Sequence, residues 1–303
     1  MAAHFWRSVL GCEMLFATVL AALLAAVSPL SAVAALALAL ALALFAPGAL
    51  VAVSFLIAAA FFDAGSAPHR TRHALRALLT EALDFNRAVL AMALGRDPLP
   101  APAALGAGGA GERPLLLIHG IVCNRRVWRG WIERLRAEGF GPIHAVNLEP
   151  LFADLGVHAA RVERELRDMQ RACHGARVAI IAHSMGGLVA RAALRSGGAG
   201  LVGRIVTLAS PHHGSRIAGW FGWLPTQQMT PGSAWLRSLN EAQEGRLPVA
   251  LTSVYSLEDN LIVPPRSARL EGAELCELRG LGHLGLLSSP QALECAMAAL
   301  AGA

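Results

Sequence analysis

A chain of 303 residues that is 55% hydrophobic and only 16% charged has room for one ordinary domain plus an apolar segment. The formal net charge is +5, and every strongly basic residue is arginine, none lysine. These arginines are scattered without interleaved aromatics, which excludes a nucleic-acid-binding surface.

The apolar excess sits at the front. Between Val9 and Val27 the only charge is Glu13, and from Leu30 to Phe62 there is none. Each run reaches the roughly 20 residues that a helix needs to cross a bilayer. Ser28-Pro29 separates the two. The second run contains Pro47-Gly48 and reads as one long kinked or tilted helix or as two shorter ones. Two spans in total, near 9–27 and 31–62, make residues 1–66 a transmembrane anchor. A signal peptide is the alternative for the first run, with Arg7 ahead of its apolar core, but the second run would still anchor the chain. Arg70, Arg72 and Arg76 crowd the exit of the last span, whereas the Ser28-Pro29 turn has no arginine. The positive-inside rule therefore predicts an integral protein of a bacterial inner membrane with its C-terminal part in the cytoplasm, an orientation that a third span would reverse.

Residues 67–96 change pattern. Leu75, Leu78, Ala82, Phe85, Val89 and Met92 recur at gaps of three and four, while Arg76, Glu81, Asp84 and Arg87 fall elsewhere on the wheel. This predicts an amphipathic juxtamembrane helix. We expect it to lie on the membrane with its arginines toward lipid phosphates; docking on the catalytic domain is the competing use. Residues 97–112, rich in Pro, Ala and Gly, read as a flexible linker.

Residues 113–303 alternate strand and helix signals. Pro114 to Ile118 is a short apolar strand running into His119-Gly120. Helix 125–138, strand 142–148, helix 155–171, strand 177–182, a helix to Arg195 and strand 204–208 follow, then strands at Val249 onward and at 274–278 and a closing helix from Pro290. Repeated βα units with apolar strands predict an α/β fold whose mostly parallel sheet is covered by helices on both faces. Residues 211–247 are a lid-like insertion.

The strand ending at Ala182 turns into a helix through Ala182-His183-Ser184-Met185-Gly186. A small-x-Ser-x-Gly turn at that junction is a nucleophile elbow: it lifts the serine oxygen above the sheet and frees the next backbone N–H for a developing oxyanion. Enzymes of this kind order the triad as serine, acid, histidine along the chain. After Ser184 there is a single aspartate, Asp259, at the polar end of a strand-like run, with Glu258 beside it as a fallback. Only His212, His213 and His283 follow the serine, and His283 stands last, in the glycine-rich loop Gly280-Leu-Gly-His. By position, Ile121 and Met185 supply the two oxyanion N–H groups. His212 and His213 point in different directions on an extended chain, which argues against a shared metal. They shape the rim of the site instead. Trp220, Phe221, Trp223, Leu224 and Trp235 crowd the insertion, where they read as an acyl-chain groove or a flap touching the bilayer. Core packing is the plainer role for such aromatics.

Together His119-Gly120 after an apolar strand, Ala182-His183-Ser184-Met185-Gly186-Gly187, and Thr207-Leu-Ala-Ser-Pro-His-His-Gly-Ser215 resemble the α/β-hydrolase lipases, in particular bacterial triacylglycerol lipases and inositol-deacylase-like lipases. The likeness covers about 113–300 and not the apolar front. It implies Ser184, Asp259 and His283 as the triad, with Ile121 and Met185 as oxyanion donors. Contacts to substrate are expected from His119, His183, His212, Trp220 and Trp223. Secreted relatives often carry a structural calcium or a disulfide, but no aspartate cluster supports the first. Cys12, Cys123, Cys173, Cys276 and Cys295 lack metal spacing and read as reduced thiols of a cytoplasmic compartment, a stray disulfide being the alternative.

The function expected is a membrane-anchored serine esterase or lipase acting on a lipid or other acyl ester, with no cofactor, metal or nucleic acid. An acyltransferase would use the same residues with an alcohol or amine in place of water. A tethered, non-catalytic scaffold is the third reading, and the ordered triad argues against it.

Overall fold

The computed structural model describes residues 1–27, 31–61, 70–97, 99, 113–243 and 246–301. Three helices come first: α1 (Ala2–Val27), α2 (Ala32–Phe61) and α3 (Arg70–Leu94). The first two are long and apolar enough to cross a membrane. They pair through Ala17, Ala21 and Ala39, whose small side chains let two helices approach closely. The backbone of α2 stays helical past Pro47-Gly48, so the second apolar run is one helix. The Ser28-Pro29 break and most of the expected 97–112 linker lie outside the described residues.

The rest of the chain builds a six-stranded, all-parallel sheet in the order β2-β1-β3-β4-β5-β6. Its strands are β1 (Leu115–Ile118), β2 (Ile143–Val146), β3 (Val178–His183), β4 (Val202–Leu208), β5 (Ala250–Ser256) and β6 (Glu274–Leu278). Helices α4 (Arg129–Ala137), α5 (Leu155–Ala172), α6 (Met185–Arg195) and α10 (Pro290–Ala301) flank it, as the alternating pattern predicts, and the short α9 (Gly285–Ser288) precedes the last. Side chains alternate across each strand, so Leu116, Ile118, Ile180 and Ala182 pack with α5 and α6, while Leu115, Leu117 and Ile181 pack with α4 and α10. Both faces being covered, the strands are apolar throughout. Because all strands run the same way, the ends of β3, β5 and β6 open onto one edge.

Between β4 and β5 the insertion folds as a 3-10 turn (Arg216–Trp220), α7 (Leu224–Gln228) and α8 (Ala234–Glu241). The side chain of Gln228 ties it down, accepting from the Leu155 N–H at 2.9 Å and donating to Asp154.

Two expectations change here. First, α3 docks on the sheet domain, the second of the two uses weighed above. Its buried face carries Ala77, Glu81, Asp84, Val89 and Met92, and the Met92 carbonyl accepts from Asn124 Nδ2 at 3.0 Å and Arg126 Nη1 at 2.9 Å. Leu75, Leu79, Leu83, Leu90 and Leu94 face outward. Second, Cys276 and Cys295 form a disulfide joining β6 to α10, so these two are not free thiols. Cys12, Cys123 and Cys173 are outside any disulfide.

Candidate active site

Ser184 sits at the turn from β3 into α6 with φ 56° and ψ −126°, a strained conformation that a non-glycine residue keeps only when its surroundings enforce it. They do. Its N–H donates to the Leu208 carbonyl at 2.8 Å, and its carbonyl accepts from the Gly187 N–H at 3.0 Å. A Cβ on Gly186 would lie 2.6 Å from the Ile118 carbonyl oxygen, and one on Gly187 would strike Ser210 Oγ. The elbow is therefore glycine-dependent because β1 and β4 crowd it from both sides. Gly120, after β1, also approaches Ser184, since its Cβ would stand 2.9 Å from Ser184 Cβ. Ile121 follows it, half-buried against the core, and Met185 opens α6.

Asp259 lies after β5. Its Oδ1 accepts from the Leu261 and Ile262 N–H groups at 2.8 Å each, and its Oδ2 stands 2.9 Å from His283 Nδ1. A carboxylate there requires the proton on Nδ1, which leaves the Nε2 lone pair for another partner. Burial alone lowers the His283 pKa, but the charge and hydrogen bond of Asp259, with a contribution from Glu81, outweigh it and raise the value above 6.5. Ser184 is 6% exposed, and among the described residues no hydrogen bond joins its hydroxyl to the imidazole. Such contacts are commonly long until substrate binds.

Glu258, the fallback acid, faces other partners. Its Oε2 accepts from the Gly280 N–H at 2.7 Å, and its buried Oε1 has no partner.

Of the expected substrate contacts, His119 and His212 are placed elsewhere. His119 Nε2 accepts from the Leu148 N–H at 3.1 Å, which puts the proton on Nδ1, 2.8 Å from the Gly120 carbonyl. Burial pushes its pKa down to about 4, so it is a neutral clamp between the loops after β1 and β2. His212 is fully buried: Arg191 Nη1 donates to its Nδ1 at 3.3 Å, and its Nε2 faces Thr207 Oγ1 at 3.0 Å. It belongs to a polar network with Arg191, Asn240 and Gln243 beneath the rim. His183 is also buried, its ring 4.8 Å from that of His283. Trp220 and Trp223 are exposed, not core, and Trp223 stacks 5.2 Å from Phe221 and lies 4.6 Å from Phe152. Among the described residues no cluster of three His, Cys, Asp or Glu side chains is placed to hold a metal ion.

Two polar residues at the site were not anticipated. Asn260 Oδ1 accepts from the His283 N–H at 3.0 Å, and its Nδ2 donates to Ser54 Oγ of α2 at 2.7 Å. Glu81 of α3 accepts from the Leu284 and Gly285 N–H groups, both at 2.8 Å. Nothing in the helix pattern marks Glu81, and the glycines on both sides of His283 are the one trace in the sequence of a close neighbour there.

Comparison with known proteins follows the same lines. Residues 162–266, which include Ser184 and Asp259, match the model of the PGAP1-like alpha/beta domain. Lipase B of Aspergillus fumigatus superposes with a TM-score of 0.59 at 20% identity, over 67% of this chain and 55% of that one. The Bacillus licheniformis lipase BlEst2 in mature form superposes with a TM-score of 0.55 at 19% identity, over 67% of this chain and 96% of that one. The chain thus spans about half the length of the Aspergillus lipase. At these identities the likeness is one of fold, and the fold is that of the α/β hydrolases, as the motifs imply. No curated protein sequence matches the chain.

Proposed function

We propose that the chain is a membrane-anchored serine hydrolase that cleaves carboxylic esters, with lipids as the natural class of substrate. The observation that carries this reading is the buried His283–Asp259 pair, at 2.9 Å, on the sheet edge where Ser184 is held in its strained turn. In the reaction, His283 Nε2 takes the proton as Ser184 Oγ attacks the ester carbonyl, and Asp259 steadies the imidazolium. The carbonyl oxygen gathers negative charge between the Met185 and Ile121 N–H groups. Collapse releases the alcohol with the proton from His283 and leaves an acyl-serine. Water, deprotonated by the same imidazole, then releases the acid.

A bilayer setting is supported by the apolar surfaces of α1 and α2 and by the exposed leucines of α3, which continue them. Trp220, Phe221 and Trp223 add an exposed aromatic patch suited to acyl chains or lipid. The arginines near the exit of α2 favour a cytoplasmic hydrolase part, while the disulfide favours an oxidising compartment.

The test is labelling of the full chain in detergent with a fluorophosphonate, with hydrolysis of p-nitrophenyl esters of increasing chain length. Wild type is expected to label and turn over, and Ser184→Ala to do neither. A wild-type protein that takes no probe and cleaves no ester sinks the reading.

A further inference from the structure

We propose that Glu81, on the helix between the apolar hairpin and the sheet domain, is a positioning residue of the active site, holding the backbone beyond His283 so that the imidazole faces Ser184. This rests on the serine-hydrolase reading above.

The Glu81 carboxylate is 1% exposed and spans two consecutive backbone N–H groups, Leu284 to Oε1 and Gly285 to Oε2, each at 2.8 Å. Those donors follow the catalytic base directly and come from a segment about 200 residues away in the chain. The histidine loop is shaped to receive the helix. A Cβ on Gly282 would overlap the Glu81 carboxylate, while one on Gly285 would make ordinary contact with Glu81 and Asp84, at 3.5 and 3.6 Å. Gly280, at φ +71°, has His73 and Arg76 against it. Three glycines around His283 thus face three successive levels of α3. At Gly282 the space that a side chain would take is the space that Glu81 occupies.

Glu81 is not alone in tying the helices to the site. Ser54 of α2 takes the Asn260 amide, whose other end holds the His283 N–H. Trp6 of α1 donates from Nε1 to the Val122 carbonyl at 2.7 Å, next to Ile121. The base is therefore braced from three directions: Asp259 at its ring, Asn260 at its own N–H, and Glu81 at the two that follow.

The carboxylate carries its full charge only on the alkaline side of neutrality. Burial pushes the Glu81 pKa up to about 7, its two N–H bonds and the His283 charge working against that and the Asp259 charge with it. In return, the charge of Glu81 favours protonated His283. The other charged groups on these surfaces are Asp84 with its partner Arg87, His73 and Arg76 against Gly280, and Glu258 on the Gly280 N–H.

The experiment uses the full chain in detergent as wild type, Glu81→Gln, Glu81→Asp and Ser54→Ala. Fluorophosphonate titration counts competent serines, and ester turnover is expressed per competent serine across pH. Glu81→Gln keeps the shape but turns an amide donor toward a backbone donor. It is expected to lower kcat per site about 10- to 100-fold with KM nearly unchanged, as a small misplacement of the base does. The acid limb of kcat/KM should move to lower pH, because a negative charge beside the imidazole is gone. Glu81→Asp should leave that limb in place with kcat only partly restored, since the charge stays and the reach is shorter. Ser54→Ala should lower kcat per site without moving the limb. The assignment is overturned if Glu81→Gln matches wild type in per-site kcat and in pH profile, or if its activity falls only in proportion to the competent fraction, which is the mark of a purely structural group. A wild type that takes no probe at all fails the hydrolase reading itself, and the assignment falls with it.

Discussion

His183 turns its Nε2–H onto the carbonyl of His283, 3.2 Å away, while the two rings lie 4.8 Å apart. His183 therefore holds His283 in place from the strand that leads into Ser184. Burial, with the nearby charge of His283, keeps the His183 pKa well below 6.5, so the ring acts as a neutral donor. Replacing it with alanine strands a buried carbonyl and opens space beneath the imidazole. We expect His183→Ala to cut kcat about 10- to 100-fold, with a smaller change in KM, when ester turnover is measured per titrated serine.

The three catalytic substitutions should differ in kind. Ser184→Ala and His283→Ala are each expected to reduce ester hydrolysis by several orders of magnitude, on the scale of other triad knockouts. Asp259→Asn should cost about 10⁴-fold, because an amide no longer fixes the proton on Nδ1. Glu258, with one oxygen on the Gly280 N–H, is not expected to soften that loss. Adding Glu258→Gln to Asp259→Asn tests the point: a further drop of more than about tenfold in the double variant would show that Glu258 had been standing in.

The parts legible in the sequence are those fixed by local chemistry. The elbow announces itself because a tight strand-to-helix turn tolerates only small residues, and Gly186 and Gly187 are where β1 and β4 press closest. A lone aspartate and a last histidine after Ser184 left little choice for the partners. Long-range relations were not legible. On a helical wheel Glu81 looks like any solvated charge opposite the leucines, yet the leucines face outward and the glutamate faces in. The pattern gave the right helix, and Val89 and Met92 of its apolar stripe are buried, but the buried face reaches round to Glu81 and Asp84 and leaves Leu75 outside. His212 and His213 are neighbours in sequence, but only the fold shows that the first is sealed in with Arg191. The pairing of Cys276 with Cys295 likewise follows from β6 and α10 meeting, and nothing in the spacing encodes it.

That disulfide makes a countable prediction. In denaturant without reductant, three of the five cysteines, Cys12, Cys123 and Cys173, should alkylate, and all five should do so after reduction. The bond spans a separation of 19 residues, so breaking it should cost about 3 kcal/mol by the loop-entropy model, read as a lower denaturation midpoint in reductant. Protein trapped with alkylating reagent as cells are lysed extends the test to sidedness. Three thiols there would place the hydrolase part on an oxidising side of the membrane, and five would return it to the cytoplasm as the arginines suggest.

Buried neutral histidines should make the fold sensitive to acid. His119 is held at about 4 by burial, and His183 and His212 are held well below 6.5, whereas in an unfolded chain all three titrate near 6.5. Their folded pKa values are depressed, so the unfolded state binds protons first as pH falls. The stability concerned is intact above about pH 6.5 and drains away toward pH 4. At roughly 1.4 kcal/mol per pKa unit, His119 alone accounts for about 3 kcal/mol. Glu81 works the other way: raised from 4.5 to about 7, it favours the folded state as pH drops through that window, and so does protonation of His283. Three depressed histidines outweigh these two raised groups, so thermal unfolding in detergent should occur at lower temperature at pH 5 than at pH 7.5. His119→Gln should flatten the decline even where it lowers stability at neutral pH. An unfolding temperature that holds or rises on acidification would mean that one or more of these rings reaches water in the folded protein.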